Sequence, residues 1–442
     1  MTTVHFIGIG GIGVSALAQI YKSEGKIVSG SDMQSSEISA KLKEKGIGVH
    51  IGHSASNIPK NCDLVIYSPA IPESNVELEK AQSLGIKIFS YPQALGTLTE
   101  KYFTIAVAGT HGKSTTTAMI AVILEKAGFD PTVVIGTKIP QFNNENYRIG
   151  KSKYLVLEAC EYRESFLAIK PEIAIITNIE ADHLDYFKNE RNYSEAFHKF
   201  LKNIKPGGKL ISSKSIGGVK NIPPSSLHIK LQIPGSFNLE NARLAAAVCQ
   251  ELGVKDDVIL AALKSFQGTW RRMENKGKIL GETLFIDDYA HHPTEVEVTL
   301  GAIREKYPKA RILTAFQPHQ YNRTKNFLPQ FAISFNDTDT VLISDIYAVR
   351  DSEEDLASVK TEDLVEAIAK NHPQVVYGHD LKQTAEYIKK NYQKYDVIVT
   401  MGAGSIYKIY DLLMSSSKLS QRTYPQAQSL PSKVDRESHL SA

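Results

Sequence analysis

The sequence is poor in cysteine. Cys62, Cys160 and Cys249 are the three present in 442 residues, none forms a CxxC pair, and an odd number argues against a disulfide framework. A reducing, cytoplasmic setting is the expectation. There is no excess of one charge either: 51 Lys and Arg face 48 Asp and Glu, a net charge of +3. No nucleic-acid partner is expected, because backbone-phosphate binding needs a clustered basic excess. No apolar run reaches the roughly 18 residues that cross a bilayer. The opening Met1-Thr2-Thr3-Val4-His5 carries no basic stretch ahead of an apolar one. Neither a membrane span nor a signal peptide is therefore expected.

What is present fits a globular chain of several domains. Apolar residues make up 42% and charged residues 22%, an ordinary balance. The length predicts two to four domains at roughly 100–200 residues each. Apolar runs that read as strands alternate with helical spacing in three blocks, so the expected fold class is α/β with parallel sheets. The first block holds strands at 4–9, 27–30, 64–67 and 86–89. The second holds strands at 103–108, 154–157, 173–176 and 209–211, with helices at 115–127 and 239–252. The third holds strands at 283–286, 311–315, 340–343 and 397–400. From Ser415 the composition turns to Ser, Gln, Pro and Lys, which predicts a disordered tail.

Two glycine clusters carry chemistry. Gly8-Ile9-Gly10-Gly11-Ile12-Gly13 lies between a strand and a helix, with Asp32 at the end of the next strand. Such a turn lets a pyrophosphate approach a helix N-terminus. By itself it also suits a nicotinamide dehydrogenase, or a tight turn without ligand. Gly109-Thr110-His111-Gly112-Lys113-Ser114 is more specific. Small residues let backbone N–H groups converge on phosphate oxygens, Lys113 supplies charge, and Ser114 supplies a hydroxyl for Mg2+. The common GxxxxGK[ST] pattern would put glycine at 107, where Val107 stands, so GTHGKS is a shorter variant.

Further candidates sit at strand ends. Glu158 follows one buried strand and Asp182-His183 another, at the sheet edge where ligands of parallel sheets bind. Glu158 and His183 are placed to reach a metal. Asn238 and Asn241, at i, i+3, suit one ligand; Asn238 suits helix capping equally. Asp287-Asp288-Tyr289-Ala290-His291-His292 pairs two carboxylates with two imidazoles, and Thr294-xx-Glu297 reads as a capping box. Arg323, after Phe316-Gln317-Pro318-His319-Gln320, suits a carboxylate or a surface ion pair.

From about residue 4 to residue 412, these pieces in this order resemble the Mur ligase family. The motifs are HFIGIGGIGVSALA, VSGSD, GTHGKSTT, TNIEADHLD, the NxxN helix start, FxGTWRRME, DDYAHHPTEV, FQPH, DIYAVR and Gly402-Ala403-Gly404. The resemblance implies a Rossmann-like domain at 1–100 for a UDP-sugar, using Gly8, Gly10, Gly11, Ile12, Gly13, Asp32 and Ser68. It implies a central P-loop ATPase domain at 101–270 and a Rossmann-like amino-acid domain at 271–414, with the tail at 415–442. ATP would be bound by Gly109, Thr110, His111, Gly112, Lys113, Ser114 and Thr115, with Asn238, Asn241, Arg272 and Asp288. Mg2+ would lie on Ser114 and Glu158, with His183 at a second metal position. The amino acid would lie near His291, His292, His319 and Arg323. Lys113, His183, Arg272, Asp288 and His292 would be catalytic, with either His183 or His292 as general base.

The implied reaction joins L-alanine to the lactyl carboxylate of UDP-N-acetylmuramate through an acyl phosphate, in a monomer or weak homodimer. Three stretches depart from the family pattern: Glu158-Ala159-Cys160-Glu161-Tyr162-Arg163 for EADESD, Gly235-Ser236-Phe237-Asn238 for GRHN, and Gln320 for the arginine after FQPH. A murein-peptide recycling ligase would open on a different motif, and a folate-type polyglutamate ligase would lack the glycine-rich first domain.

Overall fold

The computed structural model describes residues 1–216, 221–279, 283–349 and 351–415. They form three α/β units along the chain, each built on its own sheet. In the first, β1 (Thr3–Ile7), β2 (Ile27–Asp32), β3 (Gly48–Ile51), β4 (Leu64–Tyr67) and β5 (Lys87–Ser90) run parallel in the order β3-β2-β1-β4-β5.

The second sheet holds β6 (Phe103–Ala108), β7 (Thr132–Ile139), β8 (Glu145–Arg148), β9 (Tyr154–Glu158), β10 (Ile173–Ile176), β11 (Lys209–Ser212) and β12 (Asn221–Ile222). Its order is β12-β11-β10-β6-β9-β7-β8, with β8 antiparallel to β7. The third sheet holds β13 (Glu274–Ile279), β14 (Thr283–Asp288), β15 (Ile312–Phe316), β16 (Thr340–Ser344), β17 (Val375–His379) and β18 (Val397–Met401). Its order is β13-β14-β18-β15-β16-β17, with β13 antiparallel to β14.

β6 shows why such strands read as unbroken apolar runs. Successive side chains face opposite ways, and both faces are covered. Ile105 and Val107 pack into one cluster with the helix Lys113–Lys126, while Ala106 and Ala108 join another that continues into the first unit. That helix is buried from Ser114 to Leu124. It lies against the helix Ser236–Glu251, so it lacks the polar face of a surface helix. β6 sits between β10 and β9, and the chain leaves it in both directions. The crevice beyond its C-terminal end is the point where ligands of such sheets bind.

Several elements differ from expectation. The helix after GTHGKS begins at Lys113, not 115, and the later one spans Ser236–Glu251. Asn238 is inside that helix, whose cap position is Gly235, so the capping alternative for Asn238 does not hold. The helix Pro293–Lys306 is capped by His292 with Glu295, not by Thr294 with Glu297. β13, whose sequence ENKGKI has neither an apolar run nor alternation, forms through antiparallel pairing with β14. The expected tail, from 416 on, and Arg350 of the DIYAVR motif lie outside the described residues. Among the described residues no helix is long and apolar enough to cross a membrane.

Candidate active site

The loop Gly109–Ser114 turns sharply from β6 into its helix. Gly109 (φ 138°) and Gly112 (φ 80°) occupy backbone regions that side chains disfavour. A Cβ on Gly109 would collide with Thr177 Oγ1, and one on Gly112 with the Asn241 amide. No side chain caps the helix start at Gly112. Its first backbone N–H groups stay available to an anion, in line with the helix dipole.

Lys113 is folded back onto this loop. Nζ donates to Gly109 O (2.6 Å), Thr110 O (2.8 Å) and Glu161 Oε1 (3.0 Å). Burial disfavours its charge, but Glu161, with Cys160 and Glu158, outweighs burial and holds its pKa above the usual lysine value.

A cavity of 390 Å3 opens beside the loop. It collects His111, Gly112, Ser114 and Thr115 from the loop, Asn238 and Asn241 from the helix Ser236–Glu251, and Arg272 and Asp288 from the start of the third unit. Phe237, Leu244 and Met273 add apolar wall. Volume and lining suit a nucleotide-sized ligand. Asn238 Nδ2 donates to Pro234 O at 2.6 Å, which fixes the turn before the helix. Asp288 accepts from the N–H groups of Met273 (2.6 Å) and Ala290 (2.7 Å). Burial pushes its pKa up to about 6 despite the nearby Arg272 guanidinium.

His111 ties two units together. Nδ1 lies 3.1 Å from Glu295 Oε1 of the third unit, and Nε2 lies 3.1 Å from Glu180 Oε2 of the second. Burial alone would lower its pKa; the two carboxylates outweigh burial and raise it to about 9. Thr294 Oγ1 donates to Glu180 Oε1 at 2.6 Å across the same boundary.

The expected metal residues are less tightly grouped. Ser114 lines the cavity, whereas Glu158 and His183 do not. Glu158 Oε2 accepts from Gly136 N at 2.9 Å. His183, at φ 54°, packs on the Tyr162 ring with centroids 4.8 Å apart, and burial lowers its pKa so that the ring is neutral. Glu161, which no motif singled out, lies between Lys113 and His183. A partly exposed cluster of His111, Glu180 and His292 also holds ligand-type atoms within 4.8 Å of one another.

The residues expected near an amino acid do meet. His291 and His319 have ring centroids 5.9 Å apart, and Arg323 Nη1 lies 3.3 Å from His319 Nδ1. Arg323 also donates to Gln320 Oε1 (3.0 Å) and, through Nη2, to Asp182 Oδ1 (3.1 Å). Its carboxylate partner is therefore a residue of the second unit. His292 Nδ1 faces the Thr294 N–H (3.4 Å) as a helix cap and its ring packs on Phe327, while Nε2 has no partner among the described residues.

In the first unit, Asp32 Oδ2 accepts from Gly10 N at 2.8 Å, bracing the glycine turn from the next strand. The helix then starts at Ile12, after Gly11. Ser68 N donates to Ile7 O, and Gly8 packs directly beside the Ser68 Cβ. Gly13 lies under the Tyr91 ring. These residues form one edge of the first sheet, away from the 390 Å3 cavity.

Missed by sequence reasoning were Glu161, Glu180 and Glu295. Each acts on a residue distant in sequence, 184 positions in the case of His111 and Glu295. The local signal was that Glu161, Glu180 and Glu295 lie within the EACEYRESF, TNIEADHLD and DDYAHHPTEV segments.

Comparison with known proteins gives three family matches. Residues 3–103 match the Mur ligase family catalytic domain, 107–217 the Mur ligase middle domain, and 271–404 the Mur ligase glutamate ligase domain. A UDP-N-acetylmuramate–L-alanine ligase from Caldanaerobacter subterraneus is 41% identical, over 94% of this chain and 98% of its own. One from Acetivibrio thermocellus is also 41% identical, over 94% and 96%. The crystal structure of a UDP-N-acetylmuramate–alanine ligase from Thermotoga maritima superposes with a TM-score of 0.80 at 27% identity, covering 94% of this chain and 99% of that one.

Proposed function

The chain belongs to the Mur ligase family, and we propose that it is an ATP-dependent ligase joining L-alanine to the lactyl carboxylate of UDP-N-acetylmuramate, in peptidoglycan precursor synthesis. The observation that carries this reading is the 41% identity, over nearly the whole of both chains, to ligases of that name. The cavity supports it, since loop, asparagine pair, Arg272 and Asp288 converge on one nucleotide-sized space.

In this reading the lactyl carboxylate attacks the γ-phosphorus of ATP, giving an acyl phosphate and ADP. The amine of L-alanine then attacks the acyl carbon, and inorganic phosphate leaves as the amide forms. The chain acts chiefly by positioning and by neutralising charge. Lys113 and the uncapped helix start face the β- and γ-phosphates. Asn238 and Asn241 face the base, and Arg272 and Asp288 reach the nucleotide from the third unit. Gly8 to Gly13, Asp32 and Ser68 hold the UDP-sugar. His291, His319 and Arg323 border the amino acid.

Mg2+ fits the donors present. Ser114 offers a hydroxyl and Glu158 a carboxylate, and His183 offers an imidazole to a second position. The buried Glu161 Oε2, without a partner among the described residues, marks further acceptor capacity at this point. Bound there, the cation supplies charge compensation for the transferred phosphoryl group. The incoming ammonium must also lose a proton, and His183 and His292, whose pKa values burial lowers, are the two imidazoles expected for that step. His183 cannot take the proton while it holds a cation, because a metal-bound imidazole has no free lone pair. His292 uses Nδ1 as an acceptor for Thr294 N–H, which leaves the ring proton on Nε2 and makes that atom a donor.

The test is release of ADP by the purified chain. It should require Mg2+, UDP-N-acetylmuramate and L-alanine together, and Lys113→Ala should abolish it while the thermal transition is retained. Turnover without the UDP-sugar would refute the assignment.

A further inference from the structure

Glu161 is 1% exposed, yet half of its carboxylate is unsatisfied. Oε1 receives Lys113 Nζ at 3.0 Å and the Tyr193 hydroxyl at 3.4 Å. Oε2 is buried and has no hydrogen-bond partner among the described residues. An ionised carboxylate offers about four lone-pair positions. Burying one with a bare oxygen is unfavourable unless something else satisfies it. Lys113 alone is a poor explanation, because it sits on the other oxygen and divides its donors between Glu161 and two loop carbonyls.

The neighbour that changes the reading is His183. Its Nε2 lies 3.9 Å from Glu161 Oε1, nearer to contact than to a hydrogen bond. Two ligands of one octahedral cation, each at about 2.1 Å, lie roughly 3–4.2 Å apart. At 3.9 Å the pair approaches the separation of ligands on opposite sides of one cation, about 4.2 Å. Tyr162 packs against the His183 ring and keeps it oriented. Asp182 is the other carboxylate beside His183: its Oδ2 lies 3.8 Å from His183 Nε2, and its Oδ1 accepts from Arg323 and from the His183 backbone N–H.

We propose that Glu161 is a ligand of the divalent cation held by His183, and that it passes from Lys113 to that cation when nucleotide phosphate binds. The inference rests on the ATP-using reading of the site. Lys113 is turned onto its own loop, held there by Glu161, Gly109 O and Thr110 O. Phosphate oxygens compete for the same ammonium. As Lys113 leaves for them, Glu161 loses its counter-charge, and a cation beside His183 restores it. Nucleotide and the His183 cation are then coupled, each raising the affinity of the other by the same factor.

The experiment is a Mn2+ titration of the full chain, followed by electron paramagnetic resonance, with and without a non-hydrolysable ATP analogue. No product is read. Wild type should bind two Mn2+ per chain with the analogue, the second at least about tenfold more weakly in its absence. Glu161→Gln keeps the shape and removes the charge. It should bind one Mn2+ and lose the coupling while still binding the analogue. Glu161→Asp keeps the charge on a shorter arm and should weaken the second site by about tenfold or more. If Glu161 merely tethers Lys113, Glu161→Gln will change analogue affinity and leave two Mn2+ in place, which overturns the proposal. A single Mn2+ in wild type also overturns it, without need of any variant. Analogue binding with one Mn2+ would leave the nucleotide reading standing, whereas no analogue binding by wild type would defeat both.

Discussion

Arg323 Nη2 stands 3.1 Å from Asp182 Oδ1, and both side chains are under a tenth exposed, so a cation of the third unit is neutralised by a carboxylate of the second. Burial would raise the Asp182 pKa, but Arg323 together with His183 and His291 outweighs it and holds the carboxyl well below its usual range. Removing one member leaves a buried charge unpaired. Arg323→Ala and Asp182→Ala should each destabilise the chain by about 3–5 kcal/mol. The double variant should lose clearly less than the sum, with a coupling above about 1 kcal/mol. Urea unfolding of the four proteins measures this. Strict additivity would show that Arg323 is reserved for substrate.

Gly112→Ala should fail at the nucleotide rather than at the fold. Its φ of 80° imposes roughly 1–2 kcal/mol on a residue with a Cβ, which a chain of this size can tolerate. The new methyl group, however, would displace the Asn241 amide that borders the cavity. ADP affinity by calorimetry should fall more than about tenfold, with the thermal midpoint lowered by only a few degrees. Adding Asn241→Ala should restore little, since Asn241 is itself part of the proposed site.

The loop was legible because it is local: an apolar strand, three kinds of small or charged residue in fixed order, then a helix. What surrounds it was not. Glu161, Glu180 and Glu295 gain meaning only from partners brought in by the fold, and a glutamate in a polar segment gives no such sign in advance. The helix start moved from 115 to 113 because Gly112 adopts a left-handed turn, letting Lys113 begin the helix at once. β13 was invisible since its pairing with β14, not its composition, makes it a strand. The chemistry of Arg323 suits a carboxylate, but that its partner in the fold is the buried Asp182 depends on how two sheets face each other.

The His111 bridge predicts a pH window. Its folded pKa of about 9 exceeds the ordinary 6.5, so the protonated ring favours the folded, docked state. That contribution is fully present below about pH 6.5 and is lost as pH rises through about 9; it amounts to at most about 3 kcal/mol. Wild type should therefore exceed His111→Gln in thermal midpoint by several degrees near pH 6, and the gap should close near pH 10. A gap that is constant across this range would show that the charge on His111 does not hold the units together.

Gln320 accepts from Arg323 Nη1 at 3.0 Å and donates to Val349 O at 3.2 Å, so it orients the guanidinium instead of adding a second cation. Gln320→Arg should remove that acceptor and raise the KM for the amino acid with less effect on kcat. A change in kcat alone would place Gln320 elsewhere in the reaction.

The central claim is the identity of the bond formed, and mass spectrometry of the product reads it directly. The purified chain is incubated with ATP, Mg2+, UDP-N-acetylmuramate and an equimolar mixture of L-alanine, glycine, L-serine and the murein tripeptide. The account predicts one dominant product, the UDP-sugar extended by a single L-alanyl residue, together with ADP and phosphate. A product carrying the tripeptide, or ATP consumption with no adduct of the UDP-sugar, would contradict it.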